Sequence, residues 1–164
     1  MEKKELEQQL ETLFGKLDRL VNKRGAENEV NQIFHQILET IFPIINEKIE
    51  KGERLNPTDR LEQLVTRGMY EYVMELWGAG ELEEAKEVAL DMASLVDDEN
   101  IQQMFALLAI GIMAGIPIEK FIREYMITNT SPYLDYFFVE FSNKIDPLVE
   151  KYRERFQKEF SGES

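Results

Sequence analysis

The chain has 164 residues, with 19 Lys and Arg against 32 Asp and Glu, a formal net charge of −13, 43% hydrophobic and 31% charged residues, and no cysteine. That length suits one globular domain, 1–164, with a real core, and the missing cysteine excludes disulfides, thiolate catalysis and cysteine-ligated metals. The charge repels phosphate backbones and anionic lipid, so neither nucleic acid nor membrane is an expected partner, and the Glu, Lys and Ile content leans toward a cytoplasmic protein of a hot-living microbe.

Apolar residues recur at helical spacing along the whole chain, which predicts an all-α bundle or short α-α array of about seven helices. Met1 to Glu5 is charged, with no apolar targeting run behind it, so no secretion signal is expected. The first helix, about Lys3 to Lys23 within an N-terminal stretch 1–24, carries Leu6, Leu10, Leu13, Leu17 and Leu20 at alternating four and three spacing, with Phe14 and Val21 beside them. Three heptads are enough to pair with another copy or to pack on the rest of the domain. The seam is therefore a candidate for self-association. After a break at Gly25, a second helix from about Glu27 to Lys51 shows Val30, Ile33, Phe34, Ile37, Leu38, Ile41, Ile44 and Ile45 on one face. Pro43 inside it lacks an N–H and is expected to kink it, with Thr40 placed to bond the freed carbonyl.

Asn56, Pro57 and Asp59 signal the start of a third helix that turns Leu61, Leu64, Val65, Met69, Tyr72, Val73 and Leu76 inward. It stops at Gly78 and Gly80. The fourth runs from about Glu81 to Val96 and the fifth from about Glu99 to Ala114, with Met104 to Ile116 almost unbroken in apolar character. That run is too short to span a bilayer, which takes ~20 residues. It should be the buried centre, with Ala106 and Ala109 letting a neighbour come close. Pro117 opens a sixth helix ending near Asn129. Ser131 and Pro132 then cap a last, aromatic-rich helix containing Tyr133, Tyr136, Phe137, Phe138 and Phe141, which Asp146 and Pro147 kink or restart. The tail 160–164 is expected to fray.

Small basic groups, Lys23 with Arg24 and Lys151 to Lys158, fall where cations complement a helix dipole. The sole histidine, His35, flanks an apolar stripe without a nucleophile or orienting acid, so no triad is assigned. Gly-x-Ser-x-Gly and phosphate-binding glycine loops are absent. A catalytic site, if present, would be built from carboxylates around a hard cation such as Mg²⁺. Glu84, Glu87 and Asp91 share a helical face, and Glu99 opens the next helix. No catalytic or cofactor-binding residue is assigned, and the bland reading is an acidic, solvated face.

Two resemblances centre on residues 80–129. Gly80-Glu-Leu-Glu-Glu-Ala85, followed by Phe105, Leu108, Ala109 and Ile112, resembles the turn and small-residue pattern of tetratricopeptide repeats, which implies a protein-binding scaffold. Val73 stands where that repeat has a small residue, and no third unit follows. The same stretch is similar to MazG-like nucleotide pyrophosphohydrolases, all-helical enzymes that split nucleoside triphosphates into monophosphate and pyrophosphate. Glu99, the turn Gly115-Ile116-Pro117, Glu124 and Asn129 carry that likeness. It implies Mg²⁺ held by Glu84, Glu87, Glu99 and Gln102, with the first pair reading equally as Glu87 and Leu90. Gln102 stands where the family has an Asp, and Tyr125 where it has a basic residue. A neutral amide in place of a carboxylate weakens cation binding. The expected function is thus a self-associating helical interaction module, the alternative a MazG-like enzyme or a non-catalytic relative.

Overall fold

The computed structural model describes residues 2–127 and 140–162. Among these the fold is all-α: α1 Lys3–Leu20, α2 Glu27–Lys51, α3 Arg60–Gly78, α4 Leu82–Leu95, α5 Glu99–Met113, α6 Ile118–Tyr125 and α7 Asp146–Phe160. A two-residue ribbon, β1 Met126–Ile127 with β2 Glu140–Phe141, and a 3₁₀ turn at Asn143–Ile145 complete it. Contacts group the chain into two compact units, Met1–Gly68 and Met69–Ser164, and the division falls inside α3. None of the described helices is long and apolar enough to cross a membrane.

In the first unit α1 and α2 form a hairpin. Leu20 and Glu27 flank the short connection while Gln9 Nε2 donates to Thr40 Oγ1 at 3.4 Å, so the helices run antiparallel. Leu10, Phe14, Ile37, Ile41 and Leu64 are at most 1% exposed, and burying side chains of this size stabilises by about 1.5–3 kcal/mol each. Gly68 lets α3 come close to α2, for a Cβ there would lie 2.6 Å from Ile41 Cδ1. Arg67 lies in the same core. Its guanidinium stacks 4.3 Å from the Phe14 ring centroid, and Nη2 donates to Asp18 Oδ1 at 2.6 Å. The start of α3 is set by Asp59, whose Oδ1 accepts from the Glu62 amide, satisfying one donor that the helix leaves open.

The Leu seam is largely spent inside the chain. Leu10, Leu13 and Leu17 are buried, and only Leu6 and Leu20 are half-exposed. Two expectations for these helices need correction. α1 ends at Leu20 rather than Lys23. Thr40 Oγ1 donates to the Gln36 carbonyl at 2.9 Å, the ordinary back-bond of a helical threonine, and not to the Glu39 carbonyl that Pro43 frees.

In the second unit α5 is the centre, burying ten side chains or backbone positions from Ile101 to Met113. Asp98 caps it, Oδ1 accepting from the Ile101 amide at 3.0 Å. A close approach is made at Gly111, which the sequence pattern did not single out beside Ala106 and Ala109. A Cβ on Gly111 would fall 2.5 Å from Phe121 and 2.9 Å from Trp77, and those two rings meet at 4.9 Å between centroids. The sole tryptophan is fixed further by Nε1 donating to the Ile116 carbonyl at 3.0 Å.

α6 stops at Tyr125, not near Asn129, because Met126 and Ile127 are extended and pair antiparallel with Phe141 and Glu140. Phe141 is therefore in a strand and not in the expected aromatic-rich helix, whose other residues, 131–138, lie outside the described residues. Asp146 and Pro147 restart the chain as α7, with Pro in the first turn, where its missing N–H costs nothing. Lys86 ties α7 to α4. It is only 6% exposed, and its Nζ lies 2.9 Å from Glu83 and 2.5 Å from Glu159.

Candidate functional site

The acidic residues of α4 and α5 are placed by their helices' outward faces. Ala85 and Ala89 turn into the core and are fully buried, which leaves Glu84 and Glu87 exposed. Tyr72 OH donates to Glu84 Oε1 at 2.9 Å. Burial, reinforced by the neighbouring charge of Glu87, raises the Asp91 carboxyl above the ordinary range, so Glu87 and Asp91 repel each other. Glu99 is exposed in the first turn of α5. Gln102 Nε2 donates to the Val96 carbonyl at 2.8 Å, so its amide serves the backbone of the α4–α5 turn. Leu90, the other reading of the first pair, is buried in the core. Among the described residues no three His, Asp or Glu side chains come together in a way that could hold a metal ion. His35 is exposed and pairs with Glu39 at 2.8 Å, one helical turn away.

The first unit offers two open grooves instead. The smaller, about 370 Å³, is flanked by Lys3, Lys48 and Lys51. Each is matched by a carboxylate: Lys3 by Asp59, Lys48 by Glu53 and Glu62, Lys51 by Glu47. The hydrogen bond that Lys3 donates to Asp59 lifts the Lys3 pKa, and the one that Lys51 donates to Glu47 lifts that of Lys51. That groove is electrostatically closed on itself.

The larger groove, about 450 Å³, lies along the α1–α2 hairpin. Lys16, Arg19 and Leu20 form its α1 wall, and Glu29, Gln32, Ile33 and Gln36 its α2 wall. Each set falls at helical spacings of three and four, which brings it to one face. Leu20 and Ile33 form a half-buried apolar floor, and Val21, next to Leu20 in the chain, is 60% exposed. Lys16, Arg19 and Glu29 make no ion pair among the described residues. This groove escaped the sequence reading, although the stripe Lys16, Arg19, Leu20, Lys23 is visible in the spacing, because the five leucines beside it are the stronger pattern. No protein-family model matches the chain, and no curated protein and no solved structure matches it.

Proposed function

We propose that this chain is a helical protein–protein interaction module that associates with itself, and that it works without a catalytic centre. The open groove on the α1–α2 hairpin carries this reading, since it combines an apolar floor with charges that no side chain of the described residues neutralises. Desolvating such a groove against a complementary surface is what an interface core with a polar rim does. The acidic face of α4 and α5 supports the same choice. Its Glu84 accepts from Tyr72 and its Gln102 donates to the backbone, so two of the four residues the MazG-like resemblance assigns to Mg²⁺ are engaged in holding the fold.

Two measurements on the full chain test the proposal. Sedimentation velocity from low to high micromolar protein should show concentration-dependent association. Incubation with each nucleoside triphosphate and Mg²⁺ or Mn²⁺ should release no pyrophosphate and leave the melting temperature unchanged, whereas a ligand at 100 times its Kd adds about 2.7 kcal/mol. Mg²⁺-dependent pyrophosphate release that disappears in Glu99→Gln would overturn the proposal in favour of the enzyme.

A further inference from the structure

Resting on the self-association just proposed, we infer that the occupant of the α1–α2 groove is the same groove of a second copy, in a two-fold dimer where Arg19 of each copy pairs with Glu29 of the other. Charge selects this surface. A chain of net charge −13 repels its own copies almost everywhere, and self-repulsion on that scale opposes association. The groove is an exception, because its charged lining is two cations and one anion. Two copies meeting there bring opposite charges together and keep the acidic surfaces apart.

Symmetry then fixes which charges meet. An isologous contact uses one patch twice, so every pairing of residue i with residue j occurs in both directions. With the two-fold axis lying along the groove, rotation carries each α1 over the partner copy's α2 without changing height along the helices. By the register that the Gln9–Thr40 hydrogen bond sets, Arg19 and Leu20 lie across the groove from Glu29, at the end where the hairpin turns, and Lys16 lies level with Gln32 and Ile33. In the dimer Arg19 therefore faces Glu29, Lys16 faces Gln32 and Gln36, and Leu20 and Ile33 of both copies form an apolar centre extended by Val21. A groove whose two walls carried the same sign of charge would lack this self-complementarity. The buried leucines of α1 need not be re-exposed, since Leu10, Leu13 and Leu17 stay on the opposite side of the seam, packed inside the chain.

Charge-reversal variants at these exposed positions test the inference. Arg19→Glu makes both facing walls acidic and should weaken the dimer at least ~10-fold, as should Glu29→Arg, while Arg19→Glu/Glu29→Arg restores it. An equimolar mixture of the two single variants should form a heterodimer that neither forms alone. In it the introduced carboxylate meets the introduced guanidinium on one side of the two-fold axis, and the native Arg19 and Glu29 meet on the other. Circular dichroism confirms folding, and Arg19→Ala, which adds no charge, should weaken the dimer in the same direction. Raised salt should loosen the wild-type dimer. A wild-type dimer unmoved by either single reversal, or a mixture that stays monomeric, overturns this interface and leaves self-association standing through another surface. A wild-type chain that is monomeric at every concentration overturns both.

Discussion

At single residues, the tightest packing lies at Gly111, where two rings occupy the space a side chain needs. Gly111→Ala places a methyl 2.5 Å from Phe121 and 2.9 Å from Trp77, and neither ring can swing away without leaving the core. Overpacking of this kind costs about 1–3 kcal/mol, to be read as a lowered urea midpoint with an unchanged m-value. Lys86 gives a second residue-level expectation, in pH. Burial pulls its pKa down, but hydrogen bonds to Glu159 and Glu83 outweigh that and hold it above the ordinary lysine value. For Glu159, burial works upward, yet the bonds from Lys86 and Arg155 hold its carboxyl below the usual range. A raised lysine contributes stability below its unfolded value of about 10.4 and loses it as pH climbs through the folded one; a lowered glutamate contributes above about 4.3 and loses it as pH falls. The stability difference between wild type and Lys86→Met, followed by thermal melts, should therefore be flat across neutral pH and shift in the variant's favour at both extremes.

Among the elements, α5 and α2 were the most legible in sequence, because long apolar periodicity with a capping Asp or a terminal Gly admits one interpretation. Leu108, fully buried in α5, makes this testable. Leu108→Ala should cost roughly 2–5 kcal/mol in equilibrium unfolding, and a cost near zero would mean α5 is not the centre. The end of α6 was not legible. Met126, Ile127 and Phe141 are large and apolar, which suits a helix or a strand equally over so few residues, and the antiparallel pairing of 126–127 with 140–141 that decides the matter is non-local. In α1 the heptad spacing correctly located the buried face but was silent on what covers it. Leu13 is 7% exposed within the chain itself. Leu13→Asp should accordingly abolish or deeply destabilise folding, by about 3 kcal/mol or more for an unpaired buried carboxylate, and not yield a folded monomer as it would at an interface between copies.

Across the whole molecule, spacing put Glu84, Glu87 and Asp91 on one helical face, but the partner that engages Glu84, Tyr72, lies on α3 and no local pattern announces it. The same helix supplies the last expectation. α3 is one continuous helix that crosses the division, with Leu61, Leu64 and Val65 buried in the first unit and Val73, Leu76 and Trp77 buried in the second. Helix formation is cooperative, so melting one half removes backbone hydrogen bonds that nucleate the other. Trp77, the only tryptophan, lies in the second unit, and its fluorescence therefore reports that unit's unfolding alone, while far-UV circular dichroism reports every helix. Leu64→Ala lies in the first unit and should cost about 2–5 kcal/mol there. If α3 couples the units, the Trp77 fluorescence midpoint moves down with the dichroism midpoint and the two curves stay superimposed. If the units melt independently, Leu64→Ala leaves the Trp77 transition where it is in the wild type and splits the dichroism curve into two steps.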